Sequence, residues 1–218
     1  MTSIESVILE GDDPTAAEAF CAAVLGPGHP LGTRASQAPT QGFRGFTLSL
    51  VVPQPATVDA LVGAALDAGA TALKPAAKSF WGYGGVVRAP DGTIWKVATS
   101  LRKNAGPANR QIDQIVLLLG VADVVASKRF YVDHGLTVAK SFGRKFVQFE
   151  SPSASIGMGL YGRGALAKDA GVPPDGTGSH RIVVRSHAAS FTDPDGFAWE
   201  EVVRAPGADP HQGASPAR

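Results

Sequence analysis

The chain has 218 residues, of which 44% are hydrophobic and 18% are charged, and its formal net charge is +1 at pH 7. This balance lacks the basic surface that binds nucleic acid or an anionic membrane, and no apolar stretch approaches the roughly 20 residues that cross a bilayer. The single cysteine, Cys21, excludes an internal disulfide. The N-terminus has neither the basic start nor the apolar run of a signal peptide, so we expect a cytoplasmic protein that binds neither nucleic acid nor membrane.

The first half of the sequence predicts a strand, a helix, a second strand, a second helix and a closing hairpin with its last strand. The strands are rich in β-branched residues, and the helices show an apolar face with a glycine near the C-terminus. In chain order these elements fall at 4–9, 14–26, 46–52, 58–70 and 90–99.

The second half repeats this order with one element missing. A strand at 112–117 and a helix over 122–136 are followed by a strand at 180–186 and a closing hairpin and strand over 194–203. Too few residues separate the strand at 180–186 from the hairpin to hold a helix. The second half is therefore a trimmed copy of the first.

Composition divides the chain into four parts. The two related halves are predicted at 1–99 and 112–204. The segment 100–111 is basic, polar and interrupted by Gly-Pro, which is typical of a linker. The segment 205–218 has no periodic pattern and is predicted to be a disordered tail.

The same phrase closes both halves: Pro-Asp-Gly, two residues, tryptophan and a charged residue. Pro and Asp favour a tight turn, and Gly adopts the positive φ that such a turn needs, so this part has a folding role. Strand alternation places Trp95 and Trp199 in the core. The residue after each tryptophan then faces the other way, and there the copies differ: one has Lys96 and the other Glu200.

These two phrases, with the Ile-Asp-x-Ile/Val type of opening strand and the segment KPAAKSFWGYGG, resemble the vicinal oxygen chelate superfamily. That superfamily includes glyoxalase I, bleomycin-resistance proteins and extradiol dioxygenases. The resemblance covers 4–99 and 112–203. It implies an α+β fold with two glyoxalase-like β-α-β-β-β modules in one chain, whose curved mixed sheets form a cup for a small ligand.

The resemblance also implies a divalent metal in the cup of many members, and it places the ligand positions at Ser6, Lys96, Gln114 and Glu200. Gln114 and Glu200 have suitable oxygens. Ser6 is a poor ligand for transition metals, and the ammonium of Lys96 has donors only and repels a cation. We therefore expect no cofactor, with one divalent metal on Gln114 and Glu200 as the alternative. We further predict that Lys96 pairs with Glu200 where a metal would sit.

The aromatic segment at 80–83 is the second candidate region. Trp81 and Tyr83 lie among glycines, a composition that suits a lip over an apolar ligand. A loop packed on its own sheet is the equally open alternative.

The functional prediction is a glyoxalase/bleomycin-resistance-like protein, monomeric or homodimeric, that binds a small apolar or aromatic molecule in a metal-free cup. Ser6, Lys96, Gln114, Trp81 and Tyr83 are the candidate ligand-binding residues. The alternatives are a metal-dependent lyase, isomerase or dioxygenase, a metal-free enzyme with Glu200 as the catalytic general base, and a protein whose cup is filled by its own side chains.

Overall fold

A computed structural model of the chain describes residues 2–151 and 156–202. The fold is a mixed α+β structure, as predicted. Elements are numbered along the chain, and the helices in the described part are α1 (Pro14–Leu25), α2 (Pro55–Asp67), α3 (Val124–Asp133) and α4 (Arg163–Ala170). No helix in this part of the chain is long and apolar enough to cross a membrane.

In the part of the chain that the structure describes, the strands form three sheets. The eight-stranded sheet has, in order across it, β5 (Thr71–Ser79), β6 (Gly82–Arg88), β7 (Ile94–Thr99), β4 (Phe46–Val51), β8 (Gln114–Val121), β11 (Ile156–Gly162), β10 (Phe146–Phe149) and β9 (Val138–Ser141). The five-stranded sheet has, in order, β14 (Phe191–Thr192), β15 (Ala198–Glu201), β13 (Ile182–Ser186), β1 (Ile4–Gly11) and β2 (Leu31–Ala35). The third sheet is a small ribbon of β12 (Gly176–Gly178) and β3 (Thr40–Gly42).

The eight-stranded sheet consists of two complete β-α-β-β-β units. One is β4-α2-β5-β6-β7 and the other is β8-α3-β9-β10-β11, and in each the first strand pairs in parallel with the last. The units join through the antiparallel pair β4–β8. The prediction of two such units in one chain is thus confirmed.

The five-stranded sheet is built from both ends of the chain. β1 and β2 flank α1, and β13 leads to the hairpin of β14 and β15 without a helix between them. β1 and β13 pair antiparallel, as β4 and β8 do in the larger sheet. Both sheets therefore contain strands from both predicted halves. The division at 1–99, 100–111 and 112–204 stays a prediction, and the predicted tail at 205–218 lies outside the described residues.

Local signals position the elements. Asp13 and Asp123 cap the N-termini of α1 and α3 by accepting hydrogen bonds from backbone N–H groups of the first turn. Helix α2 begins at Pro55, three residues before the predicted start, because proline suits the first helical position. Gly92 and Gly196 have φ values of 88° and 93°, as the predicted turns require.

The main core lies between the sheets and α1, α2 and α3. Trp95 and Trp199 are both buried in it, as predicted, and the ring of Phe20 on α1 packs edge-on against Trp95 with centroids 5.6 Å apart. This contact links the helix of one sheet to a strand of the other.

Helix α4 packs on the opposite face of the eight-stranded sheet. Val87 and Trp95 face the main core, whereas their strand neighbours Val86 and Ile94 form a second cluster with Leu166 of α4. We call this second face, which α2 and α3 leave open, the cup face. An insertion between β11 and β13 thus occupies part of it.

Candidate functional site

The four positions that the resemblance assigns to metal ligands lie on two different sheets. Ser6 of β1 and Glu200 of β15 belong to the five-stranded sheet, where each is in register with Arg185 of β13. Lys96 of β7 and Gln114 of β8 belong to the eight-stranded sheet. The fold therefore divides these residues between two sheets and does not bring all four together.

Glu200 is held by an arginine. The guanidinium of Arg34 donates from Nη2 and Nε to Oε1 of Glu10 at 2.7 and 3.0 Å, and from Nη1 to Oε1 of Glu200 at 2.9 Å. The hydrogen bonds that Arg34 donates raise its pKa, those to Glu10 more than the one to Glu200. One guanidinium thus serves two carboxylates on the same face of the five-stranded sheet.

The predicted ion pair between Lys96 and Glu200 is wrong. Nζ of Lys96 contacts Oδ2 of Asp169 on α4 at 2.6 Å. The two residues cannot meet as predicted because Trp95 and Trp199 face the core between the sheets, so Lys96 and Glu200 point away from it on different sheets. The cation that contacts Glu200 is Arg34.

The residues at the four implied ligand positions do not fit the metal site that the resemblance implies. Gln114 and Glu200, the two positions with suitable oxygens, are on separate sheets. The carboxylate of Glu200 already accepts from Arg34, and the neighbouring strand position holds Arg185, a second cation. Within the described ranges, no three His, Cys, Asp or Glu side chains are grouped so that they could hold a metal ion.

Gln114 and Lys96 line different cavities. A Cβ on Gly157 of β11 would approach Nε2 of Gln114 to 2.7 Å, so the amide of Gln114 lies across that glycine. Gln114 lines a different surface cavity, of about 330 Å³, together with His29 and Ile112. Its position gives no support to a role beside Lys96.

Two lysines of the eight-stranded sheet hold the C-terminus of α4. Lys74 of β5 donates from Nζ to the carbonyl oxygens of Lys168 and Asp169, both at 2.7 Å. Lys96 contacts the carboxylate of Asp169. The last carbonyls of a helix have no partners within the helix and carry partial negative charge, so two ammonium groups are well placed there. Helix α4 is thereby fixed on the cup face.

A cavity of about 400 Å³ lies between this end of α4 and the β5–β6 hairpin. Charged and aromatic side chains border it, and the remaining wall consists of small and apolar residues. The lining residues are Lys74, Pro75, Ala77, Lys78, Ser79, Trp81, Tyr83, Gly84, Gly85, Val86, Lys96, Ala98, Thr99 and Asp169. Three of the residues singled out from the sequence, Trp81, Tyr83 and Lys96, thus line one cavity.

The two aromatic residues have different roles there. Trp81 occupies the turn of the hairpin, is 82% exposed, and packs edge-on against Phe80 with ring centroids 4.9 Å apart. The hydroxyl of Tyr83 instead donates to Oδ1 of Asp59 on α2 at 2.7 Å, and this hydrogen bond raises the pKa of Tyr83. Trp81 is therefore free to contact a ligand, whereas Tyr83 anchors the hairpin to α2.

Sequence reasoning missed three features of the two sheets. Helix α4 could have been found, because Leu166, Ala167 and Ala170 form a short apolar face that ends at Gly171, a residue with φ of 79°. The roles of Lys74 and Arg34 had no local signal, since each depends on a partner that is distant in the sequence.

Comparisons with known proteins identify the fold. No protein-family model and no curated protein matches the chain. Among solved structures, glyoxalase I from Zea mays has a TM-score of 0.58 at 12% identity, over 91% of each chain. A variant of that enzyme has a TM-score of 0.59 at 11% identity, over 91% of this chain and 92% of that chain. A Bacillus subtilis strain 168 protein assigned as a dioxygenase has a TM-score of 0.52 at 14% identity, covering 84% of this chain and 69% of that one. At such identities the likeness concerns the fold alone.

Proposed function

We propose that this chain, which has the fold of the glyoxalase-type vicinal oxygen chelate proteins, binds a small apolar or aromatic molecule without a metal. The site of binding is the cup face of the eight-stranded sheet. The observation that carries this proposal is the position of Trp81 and Lys96 on one cavity of about 400 Å³. Cavities of about 300–1,000 Å³ are the usual size for small-molecule sites.

The chemistry of the cavity supports the same proposal. Ala77, Val86 and Ala98 provide an apolar wall, and the indole of Trp81 stands exposed at the rim. A mostly apolar surface with a few polar groups is typical of sites that bind small organic molecules. A contact between a ligand ring and Trp81 adds an aromatic interaction worth about 0.5–1.5 kcal/mol.

The enzymatic alternatives have less support. A metal-dependent lyase, isomerase or dioxygenase needs Gln114 and Glu200 near one ion, and these residues lie on different sheets. A metal-free enzyme with Glu200 as general base needs a carboxylate that is free to accept a proton. Glu200 is engaged by Arg34, and it lies on the other sheet from the cavity.

One observation favours a second candidate function. Helix α4 occupies part of the cup face, and Leu166 is fully buried there. A protein whose cup is filled by its own helix would bind no small molecule and would have a structural or regulatory role. Ligand titration separates this candidate from the first.

The test uses N-phenyl-1-naphthylamine, a neutral aromatic probe whose fluorescence rises in apolar surroundings. We expect saturable binding, a loss of affinity of about threefold to tenfold in Trp81→Ala, and near-complete loss in Ala98→Phe, which fills the cavity. Phe142→Ala is the matched control. Phe142 is also an exposed aromatic residue near a hairpin turn, but in the other β-α-β-β-β unit. Binding that persists in Ala98→Phe, or no binding to the unsubstituted protein, would refute the proposal.

A further inference from the structure

The charges around the cavity specify its ligand further. Two lysines of the cup face, Lys74 and Lys96, line it, against a single carboxylate, that of Asp169. Lys78 also borders the cavity, but it is in register with Tyr83, whose hydroxyl reaches α2, so its side chain leaves the sheet on the opposite face. Two positive charges and one negative charge leave one positive charge in excess on the cup face. A further cation is close by, since Arg102 donates from Nη2 to the carbonyl oxygens of Ser79 and Phe80 at the hairpin turn.

This excess is not neutralised by other described carboxylates. Lys74 donates to backbone carbonyls, which are dipoles and not full charges. Asp59 accepts from Tyr83 and belongs to α2, on the opposite side of the sheet. The cavity therefore attracts anions.

Lys96 is able to bind a ligand without releasing α4. An ammonium group has three N–H donors, and Lys96 uses one of them on Asp169. Its side chain is 30% exposed, and it lines the cavity. A ligand oxygen can therefore accept from Lys96 while Asp169 remains in place.

We propose that the ligand is an organic anion: an aromatic or apolar body that contacts Trp81, Val86 and Ala98, joined to an acidic group that binds Lys96. This inference rests on the proposed function and adds the chemical class of the ligand to it. One cavity supplies both kinds of contact, and a purely apolar ligand would leave the ammonium of Lys96 without a partner in the ligand.

The experiment compares two probes with the same ring system. 8-Anilino-1-naphthalenesulfonate carries a sulfonate, and N-phenyl-1-naphthylamine lacks it. We expect the sulfonate to bind about tenfold more tightly at low salt, and this advantage to shrink at about 0.5 M salt, because exposed charges are screened there. Lys96→Met should remove most of the advantage. Asp169→Asn should increase it by removing the competing carboxylate.

Lys145→Met is the matched control, since Lys145 is an exposed lysine near the turn of the other hairpin. Equal affinity for the two probes, with both lost in Ala98→Phe, would overturn the inference and leave the proposed function standing. Binding of neither probe would refute the proposed function itself. Sulfonate binding that survives Ala98→Phe, or that falls equally in Lys145→Met, would place the anion elsewhere and overturn the inference.

Discussion

Arg34 reaches Glu200 at 2.9 Å, although two strands, β1 and β13, separate β2 from β15 in the sheet. Neighbouring strands are about 4.8 Å apart, so three spacings amount to about 14 Å along a flat sheet. The long, flexible side chain of Arg34 spans this distance together with the side chain of Glu200. Arg34 thus places a positive charge beside Glu200, at a position that the resemblance assigns to a metal ligand.

A double-mutant cycle tests this pairing. Arg34→Met and Glu200→Gln should show a coupling energy of up to about 1 kcal/mol in urea unfolding, a small value because both side chains are more than one-third exposed and solvent screens them. The control cycle, Lys96→Met with Glu200→Gln, should show no coupling. A larger coupling in the control cycle would restore the Lys96–Glu200 pair and contradict the structure.

Helix α4 depends on one buried leucine. Leu166→Ala should lower the free energy of unfolding by about 2–5 kcal/mol, because Leu166 is fully buried and its removal leaves a cavity. Chemical denaturation measures the loss, and hydrogen exchange should show α4 opening more readily than α3. Val125→Ala, at an exposed position of α3, should change stability by no more than about 0.5 kcal/mol.

The buried carboxyl of Asp193 makes stability depend on pH. Burial raises the pKa of Asp193 above its ordinary value of 3.8, although Oδ2 accepts from Tyr131 at 2.5 Å and Oδ1 from the N–H of Phe197 at 2.8 Å. Between 3.8 and the raised pKa, the folded state holds a proton that the unfolded chain has lost. The free energy of unfolding therefore falls as pH rises through this window.

Asp193→Asn should remove that contribution, because an amide does not titrate. Urea unfolding between about pH 4 and about pH 7 should show the variant gaining stability relative to the unsubstituted protein as pH rises. Asp133→Asn, at an exposed position, provides the comparison. Identical slopes for Asp193→Asn and the unsubstituted protein would contradict the assignment.

Cys21 should be unreactive in the folded protein. The thiol is buried on α1, and burial, with smaller contributions from Asp91 and Glu18, raises its pKa to about 12. Because the thiolate is the reactive form, a disulfide reagent such as 5,5′-dithiobis(2-nitrobenzoate) should label it only after unfolding, as followed by absorbance. Rapid labelling of the native protein at neutral pH would show that this face of α1 opens.

The residue types of the aromatic segment predicted its place but not the direction of its side chains. The glycines and aromatics at 80–83 predicted either a lip over an apolar ligand or a loop packed on its own sheet, and Trp81 borders the cavity. The composition could not distinguish Trp81 from Tyr83, because the partner of Tyr83 is Asp59 on a helix. The direction of each side chain follows from strand register, and register depends on pairing with β7.

Short-range sequence patterns predicted the helices, the Pro-Asp-Gly turns and the buried tryptophans, and the resemblance predicted the two-unit α+β fold. Tertiary structure alone decided which strands share a sheet, and therefore that Lys96 meets Asp169 while Glu200 meets Arg34, 166 positions away. The two groups of features differ in how far apart in the sequence the stabilising residues lie. A turn or a cap is stabilised within a few residues, whereas the pairing of β1 with β13 and β4 with β8 is selected by burial of the whole core, which no local pattern encodes.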